Sequence, residues 1–499
     1  MAIDLSSLVK AYDVRGVVPD QLSPEVARAL GAAFARVVVL PDAGADDAGA
    51  DDAGAASERP GVVIGRDMRD SGPELVDAFA AGLTAAGVDV TLIGLCSTDG
   101  LYFASGQLDR PGAMFTASHN PAQYNGIKLC RSGARPVGQE TGLAQIRDLA
   151  QGYLDDALPQ PVAEPGQIAE RDLLADYASF LRSLVDLSGI RPLKVVVDAG
   201  NGMAGLTAPA VLQEAAGLAG LPLDVVPLFF ELDGSFPNHE ANPLEPSNLI
   251  DLQAAVVANE ADLGLAFDGD ADRCFVVDER GGAVSPSAVT ALVGLAEVTK
   301  ELATGRTPTV IHNLITSRAV PDLLSAAGAT TVRTRVGHSF IKAQMAQHGA
   351  VFGGEHSAHY YFRDFWYADT GMLAALHVLA AVGTQDHTMS ELAEMFEPYV
   401  GSGEINSTVS DAAAATERVL DAYRAAYPGI VVDTLDGVTV SHWESHPQWW
   451  FNLRASNTEP LLRLNVEAAD QDIMEKVRDD VLSLVRETAD GMAEGEETS

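Results

Sequence analysis

The chain has 499 residues, enough for three or four domains, and a formal net charge of −38 at pH 7. Its 70 acidic residues outnumber its 32 basic ones, which form no cluster, so nucleic acid and anionic membranes are not expected partners. The three cysteines are widely spaced, and no apolar stretch approaches the roughly 18–20 residues that cross a bilayer. We therefore expect a globular protein with reduced thiols in the cytoplasm.

Strand-like runs and helical patterns alternate over most of the chain. The strand-like runs include GVVIG, DVTLIG and GAMFT, and the helical patterns include ELVDAFAAGLTAAG and AVTALVGLAEVTKEL. This alternation predicts an α/β fold with largely parallel strand pairing. A strand–loop–helix theme restarts near residues 61, 193 and 308, which predicts three similar α/β domains.

The last hundred residues follow a different pattern. The helical segments ATERVLDAYRAAY and DIMEKVRDDVLSLVRET flank the strands WWFNLR and LLRLNVEA, which predicts a smaller α+β domain. The predicted domains are residues 1–157, 158–282, 283–392 and 393–499. Within the first, residues 43–60 form an insertion rich in Ala, Gly and Asp, which we expect to be a mobile surface loop because this composition cannot bury a core.

An exposed turn is predicted at TASHNPAQYNG, residues 116–126, directly after the apolar run GAMF. Asn-Pro and Asn-Gly are turn signals, so Ser118 is predicted to lie on a loop with its hydroxyl free. A turn serine can also simply bond to its own backbone, and this segment alone leaves both interpretations open.

Three carboxylates follow the strand LGLAF in DGDADR, residues 268–273. At ~4 Å, each pair of like charges would cost about 4 kcal/mol with an effective dielectric near 20, so a bound cation is the natural remedy. Oxygen ligands suit Mg²⁺, and we predict Asp268, Asp270 and Asp272 as its ligands. An EF-hand is excluded because the glycine that it needs at its sixth position is Arg273 here.

Two further polar segments are candidates for substrate binding. In GEHSAHYYF, residues 354–362, Glu355 could accept from two vicinal hydroxyls and Ser357 could add another hydrogen bond, as in the binding of a polyol ring. In RASNTEP, residues 454–460, a guanidinium, two hydroxyls, an amide and turn N–H groups suit a phosphate dianion. No G-x-x-x-x-G-K-[ST] motif occurs, which disfavours nucleotide kinases.

TASHNP, DGDADR, GEHSAH and RASNTEP occur in the order and spacing of the α-D-phosphohexomutase family, which the chain resembles over essentially its whole length. The resemblance implies three similar α/β domains with mixed sheets between helices, and a smaller C-terminal α+β domain, around a central cleft. It also implies interconversion of mannose 6-phosphate and mannose 1-phosphate through a phosphoserine and a hexose 1,6-bisphosphate intermediate. The glucose phosphates and the glucosamine phosphates are alternative substrates.

The resemblance also implies a role for each matching residue. Ser118 would carry the phosphoryl group and, with the three aspartates Asp268, Asp270 and Asp272, bind one Mg²⁺ per chain. The catalytic residues would be Ser118, Lys128, Arg273, His359, Arg15 and His119, with Lys128 and His359 as the candidates for proton transfer. The substrate-binding residues would be Glu355, Ser357, Arg454, Ser456, Asn457, Thr458, His338, Lys342 and Tyr12. A hexose 1,6-bisphosphate would act as activator, and the protein would be a monomer or a homodimer that binds a phosphosugar.

Some features leave alternatives open. Ile315 stands where many relatives that use mannose and glucose phosphates carry a lysine, so the preferred sugar stays undecided. A haloacid-dehalogenase-like sugar phosphatase, with Asp268 as nucleophile and Asp270 as acid, is an alternative that does not account for TASHNP. A non-enzymatic sugar-phosphate or metal-binding protein predicts no phosphoryl group on Ser118.

Overall fold

The computed structural model describes residues 4–44, 59–455 and 461–486, except for the side chain at position 338. Most of the predicted insertion, residues 45–58, lies outside the described residues, so its expected mobility stays a prediction. Four sheets follow one another along the chain, and each is packed with helices. Three are mixed and the fourth is antiparallel, which confirms the predicted fold class but corrects the expectation of largely parallel pairing.

The first domain is built on a seven-stranded sheet. Its strands are β1 (Asp13–Val17), β2 (Gly61–Arg66), β3 (Asp89–Leu95), β4 (Gly112–Phe115), β5 (Tyr124–Arg131), β6 (Arg135–Pro136) and β7 (Ile168–Glu170). Its helices are α1 (Pro24–Phe34), α2 (Leu40–Asp42), α3 (Gly72–Ala85), α4 (Thr98–Leu108) and α5 (Leu143–Asp155). The strand order is β1-β5-β4-β2-β3-β7, with β6 paired to β5. Because β7 pairs with β3, this sheet extends past the predicted domain boundary at residue 157.

The second domain carries a five-stranded sheet in which a hairpin follows three parallel strands. Its strands are β8 (Leu193–Asp198), β9 (Leu223–Leu228), β10 (Leu263–Phe267), β11 (Cys274–Asp278) and β12 (Ala283–Val284), and its helices are α6 (Leu174–Leu184), α7 (Ala204–Leu212) and α8 (Ile250–Ala258). The strand order is β12-β11-β10-β8-β9. The run VVV in β8 is fully buried between its neighbours, as a central parallel strand requires.

The third domain repeats that arrangement. Its strands are β13 (Thr309–Asn313), β14 (Thr330–Thr334), β15 (Phe352–Gly354), β16 (Tyr360–Phe362) and β17 (Ala368–Asp369), in the order β14-β13-β15-β16-β17. Its helices are α9 (Pro286–Leu302), α10 (Ala319–Ala326), α11 (His338–His348), α12 (Gly371–Gly383) and α13 (Met389–Phe396). The predicted domain boundary at residue 392 falls inside α13.

The fourth domain is an antiparallel sheet with two helices. Its strands are β18 (Val400–Thr408), β19 (Val431–Asp433), β20 (Val438–Ser441), β21 (Trp449–Ala455) and β22 (Leu461–Ala468), and its helices are α14 (Ala412–Ala426) and α15 (Gln471–Arg486). The buried residues of α15 recur every three or four positions, so one face of the helix packs on the sheet: Met474, Val477, Val481 and Val485.

The three α/β domains share one topology. In each, a central strand (β2, β8 or β13) is parallel to both of its neighbours, and the later neighbour (β4, β10 or β15) turns back into an antiparallel partner. The three central strands begin where the sequence predicts a restart, at Gly61, Leu193 and Thr309. The turn that reverses direction therefore occupies the same place in all three domains.

The described residues contain four hydrophobic clusters, one of which extends through all three α/β domains. One continuous cluster joins Val63 of the first domain, Val196 of the second and Phe352 of the third. Trp449 and Val481 of the fourth domain belong to a separate cluster. The three α/β domains therefore pack as a unit, and the fourth domain has a core of its own.

The three cysteines are free thiols in buried positions, as the sequence predicts. Across the ranges that the structure describes, no helix has both the length and the apolar character needed to cross a membrane.

Candidate active site

The first three motifs occupy the reversing turns of the three α/β domains. Residues 116–123 join β4 to β5, residues 268–273 join β10 to β11, and residues 355–359 join β15 to β16. Each turn holds one non-glycine residue in the left-handed region, namely Ser118 (φ 50°), Ala271 (φ 59°) and Ala358 (φ 64°). Such backbone strain is typical of functional loops, where the surrounding structure enforces it.

Ser118 lies against the aspartate loop of the second domain. Its Oγ donates to Asp268 Oδ2 at 2.8 Å, and Arg273 Nη2 lies 3.4 Å from the same Oγ. Its backbone N–H donates to Thr116 Oγ1 at 2.8 Å. The side chain is buried rather than exposed with a free hydroxyl, because the second domain covers the turn: a Cβ at Gly269 would lie 2.5 Å from the Ser118 carbonyl oxygen.

Neighbouring side chains hold the serine turn, residues 116–123, in place. Arg15 Nη1 donates to Asn120 Oδ1 at 2.5 Å. His119 Nδ1 accepts from Arg273 Nη2 at 2.7 Å and lies 3.2 Å from Ser118 Oγ. Burial, together with the nearby charges of Arg273 and Arg15, lowers the pKa of His119 to about 2. His119 is therefore a neutral acceptor and cannot supply a proton near pH 7.

The three predicted metal ligands converge. Asp268, Asp270 and Asp272 are buried, and each offers an oxygen within 4.8 Å of the other two. Among the described residues, no donor makes a hydrogen bond to Asp270 Oδ1 or Asp272 Oδ1, although both atoms are buried. Buried carboxylate oxygens without donors fit a hard divalent cation such as Mg²⁺. The cluster can therefore hold a metal ion.

Two cations offset the charge of the aspartates. Lys128 Nζ donates to Asp270 Oδ2 and to Asp272 Oδ2, each at 2.7 Å. Arg273 contacts Asp268 Oδ2 through Nε at 3.0 Å and Nη2 at 2.8 Å. Burial alone would lower the pKa of Lys128, but the two aspartates raise it well above its ordinary value. Lys128 therefore holds its proton in this arrangement.

The pKa values of Asp268 and Asp270 shift in opposite directions. Burial raises the pKa of Asp268 well above its ordinary range, despite the nearby guanidinium of Arg273. Burial alone would also raise the pKa of Asp270, but the ammonium of Lys128 outweighs that effect and lowers it. Removal of one cation from this cluster would therefore leave uncompensated buried charge.

Glu355 and Ser357, the candidates for binding sugar hydroxyls, contact other groups of the third domain. Glu355 Oε2 accepts from the Tyr361 hydroxyl at 2.7 Å, and its Oε1 accepts from Asn313 Nδ2 and from the Gly337 N–H, each at 3.2 Å. Ser357 Oγ lies 3.0 Å from His359 Nδ1.

His359 connects the third and second domains. Its Nε2 lies 3.7 Å from Asp272 Oδ1. Its backbone also forms an isolated antiparallel bridge with Arg273. The turn at residues 355–359 and the aspartate cluster are therefore adjacent.

In the fourth domain, Arg454 lies at the end of β21. Its Nη2 lies 3.3 Å from Glu404 Oε2, and Arg463 Nη1 lies 3.4 Å from the other oxygen of Glu404. Arg454 Nη1 also lies 3.9 Å from Asp436 Oδ2, which accepts from the Val336 N–H of the third domain at 3.2 Å. Within the described ranges, no acceptor forms a hydrogen bond with Arg454 Nη1 or Arg463 Nε. The predicted partners Ser456, Asn457 and Thr458 lie outside the described residues.

Three other residues, Tyr12, Lys342 and His338, were predicted to bind substrate. Tyr12 lies against Gly337, where a Cβ would be 2.9 Å from the tyrosine hydroxyl oxygen and where φ is +130°. Lys342 is buried, with its ammonium 2.6 Å from Asp369 Oδ1 and over the ring of Tyr102. His338 begins α11, and its side chain lies outside the described part of the chain.

Sequence reasoning missed residues that approach the site from separate elements. Thr98, at the start of α4, donates from Oγ1 to Asp270 Oδ2 at 2.6 Å and from its N–H to the Asp270 carbonyl at 3.0 Å. Arg463 and Glu404 lie on neighbouring strands of the fourth domain. No motif marks these residues, but the alternation of polar and apolar residues in LLRLNVEA could have placed Arg463 on the exposed face.

A buried carboxylate joins the three α/β domains behind the aspartate cluster. Asp99 Oδ2 accepts from the Tyr177 hydroxyl at 2.7 Å and from Thr370 Oγ1 at 2.6 Å, and Ser97 Oγ donates to Asp99 Oδ1. Burial raises the pKa of Asp99 to about 6, although these hydrogen bonds counteract the rise. The packing of the domains around the site therefore includes a group that titrates near neutral pH.

Comparisons with known proteins agree with this architecture. Family models for phosphoglucomutase/phosphomannomutase match four successive segments: α/β/α domain I at residues 6–154, domain II at 175–282, domain III at 286–399, and the C-terminal domain at 404–484.

Individual relatives match along nearly the whole chain. A protein of Xanthomonas campestris pv. campestris described as phosphohexose mutases is 39% identical over 480 residues, covering 96% of this chain and 98% of its own. A phosphomannomutase of Escherichia coli K12 is 37% identical over 481 residues, with the same coverage. The crystal structure of a phosphoglucomutase/phosphomannomutase family protein from Burkholderia thailandensis has a TM-score of 0.78 and 32% identity, covering 96% of this chain and 97% of that one.

The four-domain fold and the loops that meet between its domains define a phosphohexomutase enzyme. The chain belongs to the phosphoglucomutase/phosphomannomutase family. The haloacid-dehalogenase alternative and the non-enzymatic alternative are therefore set aside.

Proposed function

We propose that this enzyme interconverts mannose 6-phosphate and mannose 1-phosphate through a phosphoserine at Ser118 and a hexose 1,6-bisphosphate intermediate. The observation that carries the proposal is the position of Ser118 Oγ, which lies 2.8 Å from Asp268 and beside Arg273 in a buried site. The choice of mannose is supported by relatives described as phosphomannomutases, such as the 37% identical protein of Escherichia coli K12.

The proposed metal ligands are Asp268, Asp270 and Asp272, together with the phosphoryl group on Ser118. Mg²⁺ bound there would supply charge neutralisation for phosphoryl transfer. Its support is the pair of buried carboxylate oxygens, Asp270 Oδ1 and Asp272 Oδ1, that receive no hydrogen bond from any described donor. A hexose 1,6-bisphosphate is the proposed activator, because it would restore the phosphoryl group of an enzyme that has lost it.

The sugar phosphate is proposed to bind at both ends. Glu355 and Ser357 would hold sugar hydroxyls, and Arg454, with Ser456, Asn457 and Thr458, would hold the phosphate that is not reacting. Asp436 lies 3.9 Å from Arg454 Nη1 and accepts from the Val336 N–H, and the adjacent Gly337 N–H donates to Glu355. This chain of contacts supports one ligand spanning both loops. Tyr12, His338 and Lys342 are proposed as outer contacts, and Lys342 would act through its ion pair with Asp369.

The phosphoryl transfer itself needs in-line positioning and proton movement. The free sugar hydroxyl attacks phosphorus, the bond between phosphorus and Ser118 Oγ breaks, and a new oxygen–phosphorus bond forms on the sugar. The hydroxyl gives its proton to His359, and the departing Ser118 Oγ takes up a proton from solvent to become the hydroxyl that donates to Asp268. Lys128 keeps its proton and, with Arg273 and Arg15, stabilises negative charge in the transition state.

One carrier serine can serve both ends of the hexose only if the bisphosphate turns around between two transfers. The separate hydrophobic core of the fourth domain supports movement of that domain while the intermediate turns. The second transfer then reverses the first, from the other phosphate back to Ser118. We further propose that the enzyme works in the cytoplasm as a monomer or homodimer.

The test is a comparison of hexose 1-phosphates with Mg²⁺ and a hexose 1,6-bisphosphate present. We expect isomerisation of mannose 1-phosphate, and a loss of about 10³-fold or more in Ser118→Ala. Ser132→Ala, on the turn between β5 and β6, is the matched control and should retain activity. Faster turnover of glucose 1-phosphate or glucosamine 1-phosphate would refute the mannose assignment, and release of free phosphate without isomerisation would refute the mutase mechanism.

A further inference from the structure

A third arginine, Arg69, contacts the backbone of the turn that carries Ser118. Arg69 follows β2, in the segment GRDMRDSG, and its side chain is 1% exposed. A guanidinium has five N–H donors in a fixed planar arrangement. Burial of such a group is costly unless the protein supplies acceptors in matching positions.

The serine turn supplies four of those acceptors. Arg69 Nη2 donates to the carbonyls of Ser118 at 2.9 Å and Asn120 at 2.7 Å. Its Nη1 donates to the carbonyls of Pro121 and Tyr124, each at 2.9 Å. Four peptide carbonyls from residues 118–124 therefore converge on one cation.

The fifth donor anchors the arginine itself. Arg69 Nε lies 3.2 Å from Asp67 Oδ2, and the Arg69 N–H donates to Asp67 Oδ1 at 3.0 Å. The second domain closes the other side, because the Phe236 ring lies 5.2 Å from the guanidinium carbon. A Cβ at Gly234 would lie 2.8 Å from the Arg69 Cα. Arg69 is thus held rigidly by two domains.

This arrangement has two consequences for Ser118. The left-handed conformation of Ser118, which a non-glycine residue rarely adopts, is fixed because its own carbonyl and that of Asn120 share one guanidinium nitrogen. The four carbonyl oxygens also accept from a cation, which offsets their partial negative charges beside Ser118.

We propose that Arg69 is a positioning residue for phosphoryl transfer, which aligns Ser118 Oγ with the aspartate cluster through four backbone carbonyls. The proposal rests on the proposed function of Ser118 as the carrier. Arg69 acts without contact with the sugar, so its loss should change the transfer steps and leave substrate affinity nearly unchanged. Lysine cannot replace it, because an ammonium has three donors and no planar arrangement.

The first test compares Arg69→Lys with Arg182→Lys. Arg182 is a matched control because its guanidinium also binds backbone carbonyls, those of Val211 and Gln213, in the second domain. We expect kcat to fall about 100-fold in Arg69→Lys, as for other small misplacements of reacting groups, with KM for mannose 1-phosphate within about twofold. Arg182→Lys should lower thermal stability without this loss of kcat.

The second test measures phosphorylation of Ser118 from hexose 1,6-bisphosphate by intact mass over time. The rate should fall in Arg69→Lys in proportion to kcat. In Arg69→Gly, added guanidinium chloride should restore the rate several-fold, and ammonium chloride at the same concentration should not. If neither variant folds, Asp67→Asn, which removes the negative charge beside Arg69 Nε, should lower the phosphorylation rate by a smaller factor.

The possible results are distinguishable. The role of Arg69 would be overturned if Arg69→Lys kept the wild-type kcat or raised KM alone, or if Arg182→Lys lost as much kcat. It would also be overturned if both salts rescued Arg69→Gly, or if Asp67→Asn left the phosphorylation rate unchanged. If the wild-type enzyme isomerises sugar phosphates without a phosphoryl group on Ser118, the proposed function fails first. If wild type is phosphorylated and the Arg69 variants behave like it, only the inference about Arg69 fails.

Discussion

Replacement of Lys128 by methionine would remove an ammonium that bridges two buried carboxylates. Its Nζ lies 2.7 Å from both Asp270 and Asp272, and its side chain is 17% exposed. With an effective dielectric of about 20, each contact is worth about 6 kcal/mol of Coulomb energy. Desolvation offsets much of this, and loss of one partner from a buried ion pair typically costs about 3–5 kcal/mol. We therefore expect Lys128→Met to lose about 3 kcal/mol of unfolding free energy without added metal.

The same reasoning predicts that Mg²⁺ reverses much of the loss. A divalent cation at the aspartates replaces the missing positive charge and stabilises the folded state by mass action. The assay is urea unfolding followed by tryptophan fluorescence, with and without saturating Mg²⁺. Lys476→Met, at an exposed position of α15, is the control and should change stability by less than about 0.5 kcal/mol. A loss below about 1 kcal/mol in Lys128→Met, or a loss that Mg²⁺ does not change, would refute the reasoning.

Three further predictions concern groups around the site. The pKa of Asp99 is raised from 3.8 to about 6, so its contribution to stability is present below pH 4 and is lost as the pH rises through 6. In urea unfolding, wild type should lose up to about 3 kcal/mol relative to Asp99→Asn between pH 4 and pH 8. A difference between the two proteins that does not change with pH would contradict this. Glu404 pairs with Arg454 and Arg463 and so competes with the substrate phosphate for these two cations. Glu404→Gln should therefore lower KM for the phosphosugar by about fivefold, as expected for the loss of about 1 kcal/mol of competing ion pairs. An unchanged or higher KM would argue against this competition. Thr98 donates to Asp270 and orients it, so Thr98→Val should raise the Mg²⁺ concentration that gives half-maximal activity about tenfold. A Mg²⁺ titration curve like that of wild type would show that Thr98 has no such role.

The motifs were predictable from sequence because each is a short continuous turn. DGDADR brings three carboxylates together through its own local geometry, so the convergence of Asp268, Asp270 and Asp272 needed no knowledge of the fold. The three restarts of the strand–loop–helix theme likewise predicted the three similar domains. Their shared topology then explains why the motifs meet: each occupies the same reversing turn of its domain.

The remaining features depend on contacts between distant segments. Arg69 and Thr98 reach the site from the ends of other elements, and the sequence does not show that their partners lie in turns about 50 and 172 residues away. The burial of Ser118 follows from the packing of the second domain over the first, which turn chemistry alone cannot indicate. Strand β7 was not predicted because it is a three-residue, exposed edge strand with no apolar alternation.

The most direct test of the central claim is to follow the phosphoryl group. The enzyme is incubated with hexose 1,6-bisphosphate carrying labelled phosphorus, isolated, and then given unlabelled mannose 1-phosphate. We predict label on the peptide that contains Ser118, followed by its transfer to the 6-position of the sugar, and no label in Ser118→Ala. Isomerisation at the normal rate with no label ever found on Ser118 would contradict the account.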